Sequence, residues 1–423
     1  MTTEICIKIR KSCRVCEGEL VPILTLGDLC VSDFPLPDQP DPIKTPLQLM
    51  LCQKCYLLQL KHTVPTDLLY RNYWYRSGTN HTMRSALAEI ANTSEKLIHL
   101  EENDAVLDIG CNDGTLLGAY TTSGIYKTGF DPAENIAQYS KVIADKIIVD
   151  FFKADTWLND SSLNMHQPKL ITSIAMFYDL DDPNSFVADI KRVMHPEGLW
   201  IVQMSYLPSM LKTNELGNIC HEHLEYYSLH SFEYLLNSHG LEVVDAELNN
   251  VNGGSLRAYI RLKNADESLF GDIVHRELAK KRVQSIRTQE ADQELDTLNP
   301  YNRFAFRVDR IKNDVVSFIK TQVNNGEKVF VYGASTKGNT VLQYYGLDHT
   351  LITAAAERNP DKWGRVTAGS KIPIVSELEA RAAKPDYFLI LPWHFVDEFE
   401  DRELDYLLAG GRFIMPAPYF SLR

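Results

Sequence analysis

Residues 105–114 read Ala-Val-Leu-Asp-Ile-Gly-Cys-Asn-Asp-Gly, and no other stretch restricts the fold as tightly. A short apolar strand, Ala105 to Ile109, runs into an acidic, glycine-bearing turn. About twenty residues later a second strand ends at Gly129-Phe130-Asp131-Pro132, the spacing of a nucleoside-binding βαβ unit. Gly110 and Gly114 allow close backbone approach to a ligand, since a Cβ there would obstruct it. Asp131 stands at a strand tip, where a carboxylate can accept both hydroxyls of a ribose. Asp150-Phe151-Phe152 follows the next apolar run, with an acid and an aromatic suited to an adenine. Leu170 to Phe177 reads as a buried strand ending in Tyr178-Asp179-Leu180-Asp181-Asp182-Pro183. Strands alternating with helical segments predict a doubly wound α/β sheet whose ligand lies at the carboxyl ends of its strands.

The turn lacks the pyrophosphate pattern G-x-G-x-x-G, and Asp108 and Asp113 would repel a phosphate. They suit a cation. S-adenosylmethionine (SAM) carries a sulfonium and an ammonium and no phosphate. The pattern resembles the class I methyltransferases, and the resemblance implies a Rossmann-like domain that binds SAM. On that reading Asp108, Gly110, Asn112, Gly114, Asp131, Pro132, Asp150 and Phe151 form the cofactor site.

Four of the eight cysteines stand in two knuckles, Cys13-x-x-Cys16 and Cys52-x-x-Cys55. Two such pairs supply the four thiolates of a tetrahedral structural zinc. Redox dithiols are the competing reading, but such a motif opens a helix in a thioredoxin-like βαβ, and neither pair has that context. Residues 1–70 are therefore expected to be a loop-rich zinc-binding module. Prolines 22, 35, 37, 40, 42 and 46 lie between its knuckles, and it is too small to fold well without metal. Residues 71–265 hold the methyltransferase domain, entered through an aromatic segment and an amphipathic helix from roughly Met83 to Leu100. Residues 266–325 form a helical connector, with Arg282 to Asp296 a solvated helix. Residues 326–423 are a second Rossmann-like domain, with strands at Val329 to Tyr332, Leu351 to Ala356, Tyr387 to Leu391 and Arg412 to Met415.

The formal charge of −13 and the lack of a basic cluster argue against a nucleic-acid partner. No run of eighteen apolar residues and no signal peptide is present, so a cytoplasmic, non-membrane protein is expected. A cleft enzyme of 423 residues is expected as a monomer or weak homo-oligomer.

Three further segments carry chemistry. Asn72-Tyr73-Trp74-Tyr75-Arg76-Ser77-Gly78-Thr79-Asn80-His81 crowds aromatics, an arginine and small polar residues just before the cofactor domain. In Cys220-His221-Glu222-His223, alternation in an extended segment places His221 and His223 on one side and Glu222 on the other. A metal pair would need a third ligand, which is not evident. A general base with an orienting carboxylate reads better, since His titrates near neutral pH. Finally, Gly333-Ala334-Ser335-Thr336-Lys337-Gly338 opens a helix after a buried strand. Helix amides beside a lysine suit a phosphate, with Ser335, Thr336 and Lys337 as contacts, although Gly333 could simply make a tight turn.

Taken in order, the cysteine pairs, Tyr73 to Gly78, Asp108-Ile109-Gly110, His221-Glu222-His223 and Asn252-Gly253-Gly254-Ser255 resemble the C-methyltransferases of nucleotide-linked deoxysugars. Gly333 to Gly338, Glu357-Arg358-Asn359-Pro360 and Leu391-Pro392-Trp393-His394-Phe395 extend the match over nearly the whole chain. The resemblance implies a zinc domain, a SAM domain and a C-terminal Rossmann-like domain, with a dTDP-linked 4-keto sugar bound in the cleft and methylated at C3. It makes His223 the base with Glu222 beside it, and Tyr73 or Tyr75 donors to the enolate oxygen. Tyr178 would line the sugar pocket, and Arg76, Asn80, His221 and Asn252 would join the substrate contacts. This chain has Cys220 where some members have tyrosine, and Phe177-Tyr178-Asp179 where some have histidine. O- or N-methylation of a related sugar is the alternative, and a non-catalytic zinc and SAM-fold binding protein a more distant one.

Overall fold

The computed structural model describes residues 5–263, 265 and 273–423. Its N-terminal module holds β1 (Lys8–Ile9), β2 (Leu20–Cys30), β3 (Lys44–Cys52), β4 (Leu58–Leu60) and β5 (His62–Thr63), followed by α1 (Thr66–Tyr70). The expected loop-rich module is thus built on a long antiparallel hairpin of β2 and β3. The prolines are compatible with it for positional reasons. Pro22 lies on the outer strand beside a bulge, and Pro46 lies beyond the part of β3 that β4 pairs. Leu47, Leu49 and Leu51 alternate onto the buried face of β3.

The middle domain opens with α2 (His81–Leu97), two residues earlier than the apolar pattern indicated, because the Asn80 side chain caps it. Then come β6 (Ala105–Ile109), β7 (Tyr126–Phe130), α3 (Ala137–Ser140), β8 (Lys146–Ile148), α4 (Ala154–Asn159), β9 (Pro168–Ile174), α5 (Pro183–Val193), β10 (Leu199–Ser205) and α6 (Leu207–Thr213). After these follow β11 (Glu225–Tyr226), α7 (Leu229–Ser238), β12 (Leu241–Asn249) and β13 (Ser255–Leu262). Seven strands form a sheet in the order β12-β13-β10-β9-β6-β7-β8. The run from β10 to β8 is parallel, and β13 and β12 are antiparallel additions. Strand order reverses between β6 and β9, so the crevice at their carboxyl ends is the expected ligand position. Strand β11 leaves this domain and pairs antiparallel with β4, completing the sheet β11-β4-β3-β2 of the N-terminal module.

Two helices connect to the last domain: α8 (Ile273–Ala291) and α9 (Asn299–Asn324). Residues 266–272 of the expected connector lie outside the described residues. The Arg282–Asp296 segment is less solvated than its charge implies. Val283 and Ile286 are buried, and the buried Glu290 carboxylate accepts from Leu229 N, His230 N and the Tyr206 hydroxyl. A carboxylate there satisfies the first-turn amides of α7. Along α9, Tyr301, Phe304, Val308, Ile311, Val315 and Ile319 recur at helical spacing and are buried.

The C-terminal domain comprises β14 (Val329–Tyr332), α10 (Thr336–Tyr345), β15 (Ala355–Glu357), β16 (Ile374–Ser376), α11 (Glu377–Ala382), β17 (Tyr387–Ile390), β18 (Arg412–Met415) and β19 (Ser421–Leu422). Its sheet order is β16-β15-β14-β17-β18-β19, parallel except for β19. The N-terminal hairpin packs against it. Gln343 exchanges hydrogen bonds with the Cys30 backbone, and Leu47, Tyr301 and Val331 share one core.

Candidate active site

The turn after β6 carries Gly110 at φ +75 and Asn112 at φ +51, so the chain reverses in left-handed conformations. A Cβ on Gly110 would lie 2.9 Å from the Met176 side chain. Asp131, at the tip of β7, accepts from Asn112 N and Ala133 N, each at 2.8 Å, one on each carboxyl oxygen. Its second pair of acceptor positions remains for a ligand. Asp108 is buried and accepts the Thr172 hydroxyl at 2.6 Å; burial pushes its carboxyl up to about 7, against that hydrogen bond and with Asp131 adding to the rise. The Asn112 side chain ties the turn to the aromatic lead-in, accepting from Ser77 N at 3.0 Å and donating to Tyr75 O at 3.0 Å.

These groups line a cavity of about 430 Å³ that runs from the sheet's carboxyl ends to the C-terminal domain. Of the expected cofactor residues, Asp108, Gly110, Asn112, Asp131, Pro132, Asp150 and Phe151 line it. Gly114 does not: at φ +80 it packs against α3, where a Cβ would sit 3.1 Å from Ser140 Cα. Asp113 likewise turns away to accept Gly78 N at 2.8 Å. Carboxyls at Asp108 and Asp131 beside apolar walls at Ile109, Phe130 and Phe151 suit a ribose, an adenine and a nearby cation, so the residues present fit SAM.

The same cavity is lined by Tyr73, Tyr75, Tyr178, His223 and Asn252, and by Ser335, Thr336 and Lys337 from the N-terminus of α10. His223 Nδ1 lies 3.0 Å from Asn218 O. A carbonyl can only accept, so Nδ1 carries the proton and Nε2 keeps its lone pair. The Tyr178 ring packs on the imidazole at 4.4 Å. Burial, then the Lys337 charge, lower the His223 pKa to about 3 against the Asn218 carbonyl. Lys337 Nζ itself donates to Asn218 Oδ1 at 2.6 Å.

Several expected substrate and catalytic residues lie elsewhere. Residues 220–223 form a turn, with His223 N bonded to Cys220 O, and not the extended segment that alternation suggested. His221 therefore points away from His223. Its Nε2 meets Thr45 O at 3.1 Å, and burial lowers its pKa to about 4. Glu222 is buried without lining the cavity, and the group that meets His223 Nδ1 is the Asn218 carbonyl, not the Glu222 carboxylate. The Arg76 guanidinium stacks 3.7 Å over the Tyr139 ring, and Asn80 is committed to capping α2. Unforeseen cavity residues are Glu215 and His394. Glu215 accepts from Trp393 Nε1 and has no sequence signal; His394 stood in a recognised motif but had no role assigned.

Cys13, Cys16, Cys52 and Cys55 bring their Sγ atoms within 4.8 Å of one another. The Cys13–Cys55 and Cys16–Cys52 separations are 3.5 and 3.4 Å, close to the edge of a tetrahedron with Zn–S bonds of about 2.3 Å. Amides of Val15, Lys54 and Cys55 donate toward these sulfurs, as thiolates require. The set fits structural zinc. Gln59 links it to the segment that follows His223: its Nε2 donates to Cys13 Sγ at 3.2 Å, its Oε1 accepts from Arg14 N and Nη1, and its backbone pairs with Glu225.

Sheet order, acidic strand tips and the four-cysteine centre together define a SAM-dependent class I methyltransferase with a structural zinc site. Three family models match successive stretches: "Putative zinc binding domain" over 13–70, "Methyltransferase domain" over 75–246 and "C-methyltransferase C-terminal domain" over 250–418. The C-methyltransferase NovU of Streptomyces niveus is 30% identical over 411 residues, covering 96% of this chain and 95% of its own. The chain belongs to this C-methyltransferase family. Among solved structures, the plantazolicin methyltransferase BpumL in complex with SAH aligns at TM-score 0.34 and 14% identity, over 43% of this chain and 84% of its own. A SAM-dependent methyltransferase from Clostridium acetobutylicum ATCC 824 aligns at 0.31 and 10%, over 44% and 93%. Among the described residues no helix is long and apolar enough to cross a membrane.

Proposed function

We propose that the enzyme methylates a carbon beside the ketone of a nucleotide-linked 4-keto-deoxysugar, with dTDP the expected carrier. One observation carries the reading: a histidine with a free Nε2 shares a cavity with the acidic SAM turn and with the lysine-bearing start of α10. A helix N-terminus with Lys337 suits a diphosphate, which would place the sugar between it and the turn.

His223 Nε2 takes the proton from carbon, and the electron pair passes into the carbonyl to give an enolate. Phenols of Tyr73, Tyr75 and Tyr178 surround the space where that oxygen would lie and can donate to it. SAM, when bound, supplies an electrophilic methyl group on a sulfonium. The domains on either side hold the carbon acid in place, and such positioning is worth up to about 7–11 kcal/mol of barrier. A diphosphate at Lys337 would offset part of the charge that depresses His223, so the base strengthens once substrate is seated.

The test is proton exchange in deuterated water on a dTDP-4-keto-6-deoxy sugar, with enzyme and S-adenosylhomocysteine. Deuterium should enter at C3, and His223→Ala should abolish this while SAM affinity stays within about twofold. No exchange despite cofactor binding would move the reading to a different sugar or to methylation of a heteroatom.

A further inference from the structure

Among the acidic residues that line the cavity, Asp179 is left without a task by the reaction just described. Asp179 closes the short 3-10 turn Phe177–Asp179 after β9, beside the tyrosine whose ring covers His223. Its Oδ1 is buried and has no hydrogen-bond partner. Its neighbour Asp181 is fully engaged, by Lys8 Nζ and Arg10 Nη2 at 2.7 Å and by the Thr63 hydroxyl at 2.9 Å.

The groups facing Asp179 are mostly acids and neutral donors. Glu222 from the catalytic loop and Glu225 from β11 are both buried, and Glu222 Oε2 and both Glu225 oxygens also lack partners. Tyr70 at the end of α1 meets the Asp179 carboxyl with its hydroxyl, which favours the ionised form, while donating to Glu222 O at 2.9 Å. The Cys220 thiol and the phenols of Tyr73, Tyr178 and Tyr226 also sense its charge. Lys337 faces it from α10, but its ammonium is bonded to Asn218, and Arg14 acts on Glu225. A carboxylate buried beside two further carboxyls is costly. Burial, with Glu222 and Glu225 adding to it, accordingly holds Asp179 well above the usual carboxylate range.

We propose that Asp179 is a second catalytic residue, a carboxylic acid that donates its O–H to the carbonyl oxygen as negative charge develops there. This rests on the enolisation reading above. The C–H bond breaks, an N–H bond forms at His223 Nε2, the electron pair moves to oxygen, and the Asp179 proton is shared with that oxygen without leaving the site. The environment divides the labour: one buried group is kept a neutral base and its neighbour a neutral acid, the arrangement that lets acid and base act together near pH 7. A donor already held in place needs no reorganisation as charge develops.

The experiment is C3 deuterium exchange by Asp179→Asn and Asp179→Ala, with SAM and dTDP affinities measured by calorimetry on the same full-length proteins. Asp179→Ala should lose about 10²–10³-fold in exchange rate with both affinities within about threefold, while Asp179→Asn, which keeps a donor, should recover to within about tenfold of wild type. The wild-type rate should fall as alkaline pH ionises Asp179, and the Asp179→Asn profile should lack that limb. Exchange lost in His223→Ala but kept in Asp179→Ala overturns the assignment of Asp179 alone. Absence of exchange in the wild type overturns the enolisation reading beneath it. If Asp179→Ala does not fold, persistence of the alkaline limb in Asp179→Asn overturns the proposal.

Discussion

Replacing Gln59 by leucine would test whether the metal centre holds the loop that carries His223. Gln59 is fully buried, and its amide serves three polar atoms: Cys13 Sγ, Arg14 N and Arg14 Nη1. Leucine has similar bulk but neither donor nor acceptor. Arg14 N would be left buried without a partner, and the thiolate would lose a donor. Each such group costs about 1–3 kcal/mol, with bonds to charged groups at the upper end. Leucine's apolar burial returns some of this, leaving a net loss of about 2–4 kcal/mol. If that loss falls on the metal-bound form, zinc should be retained about 30- to 1000-fold less well. Transfer of zinc to a chromophoric chelator reads this directly, and urea unfolding followed at Trp74, which bonds to Asp33 of the same module, reads the stability. Transfer kinetics and an unfolding midpoint both equal to wild type would refute the coupling.

Asp131→Ala should weaken SAM by about 10- to 100-fold, since a charged acceptor facing the ribose is worth about 1.5–3 kcal/mol; unchanged calorimetric affinity would place the ribose elsewhere. Lys337→Ala should weaken dTDP binding while leaving SAM binding intact, and should raise the His223 pKa, which the lysine charge lowers; imidazole NMR titration checks the second effect. Asp181 supplies an acid-sensitive joint. Although burial opposes it, the hydrogen bonds from Lys8 and Arg10 hold its carboxyl at about 2, below an unfolded value of about 3.9. Its stabilisation is therefore complete above that unfolded value and is lost as pH falls toward the folded one. Asp181→Asn should flatten the acid limb of stability in that window, and an unaltered limb would assign it to other carboxylates.

Features that depend on neighbours in sequence were legible in advance. Strands Ala105–Ile109, Val329–Tyr332 and Arg412–Met415 stand where their apolar runs placed them, and the cysteine pairs converge as their spacing required. Errors arose where one residue type serves two ends. Asn80 looked like a ligand contact because amide side chains that bind substrates are also good helix caps. Alternation in His221-Glu222-His223 presupposed an extended chain; the turn back to Cys220 separates the histidines and leaves a backbone carbonyl against the His223 imidazole. The charged face of Arg282–Asp296 hid Val283, Ile286 and Glu290, whose burial depends on β12 and α7 being present to cover them. Glu215 reaches the cavity only because the Leu216–Asn218 turn after α6 packs against α10, a long-range fact that no local pattern encodes.

The two-residue strand β11 has a consequence for how this chain is made. The N-terminal module is synthesised before the middle domain, yet one edge of its sheet, along β4, is covered by Glu225–Tyr226. Until synthesis has passed through the middle domain, that edge presents unpaired amides and carbonyls, the kind of surface that recruits foreign strands. The nascent module must therefore wait for its last strand, and the piece that relieves the exposure is the segment that also brings His223 into the cavity. Capping of the early module and completion of the cavity wall at His223 are thus one event in the life of the chain.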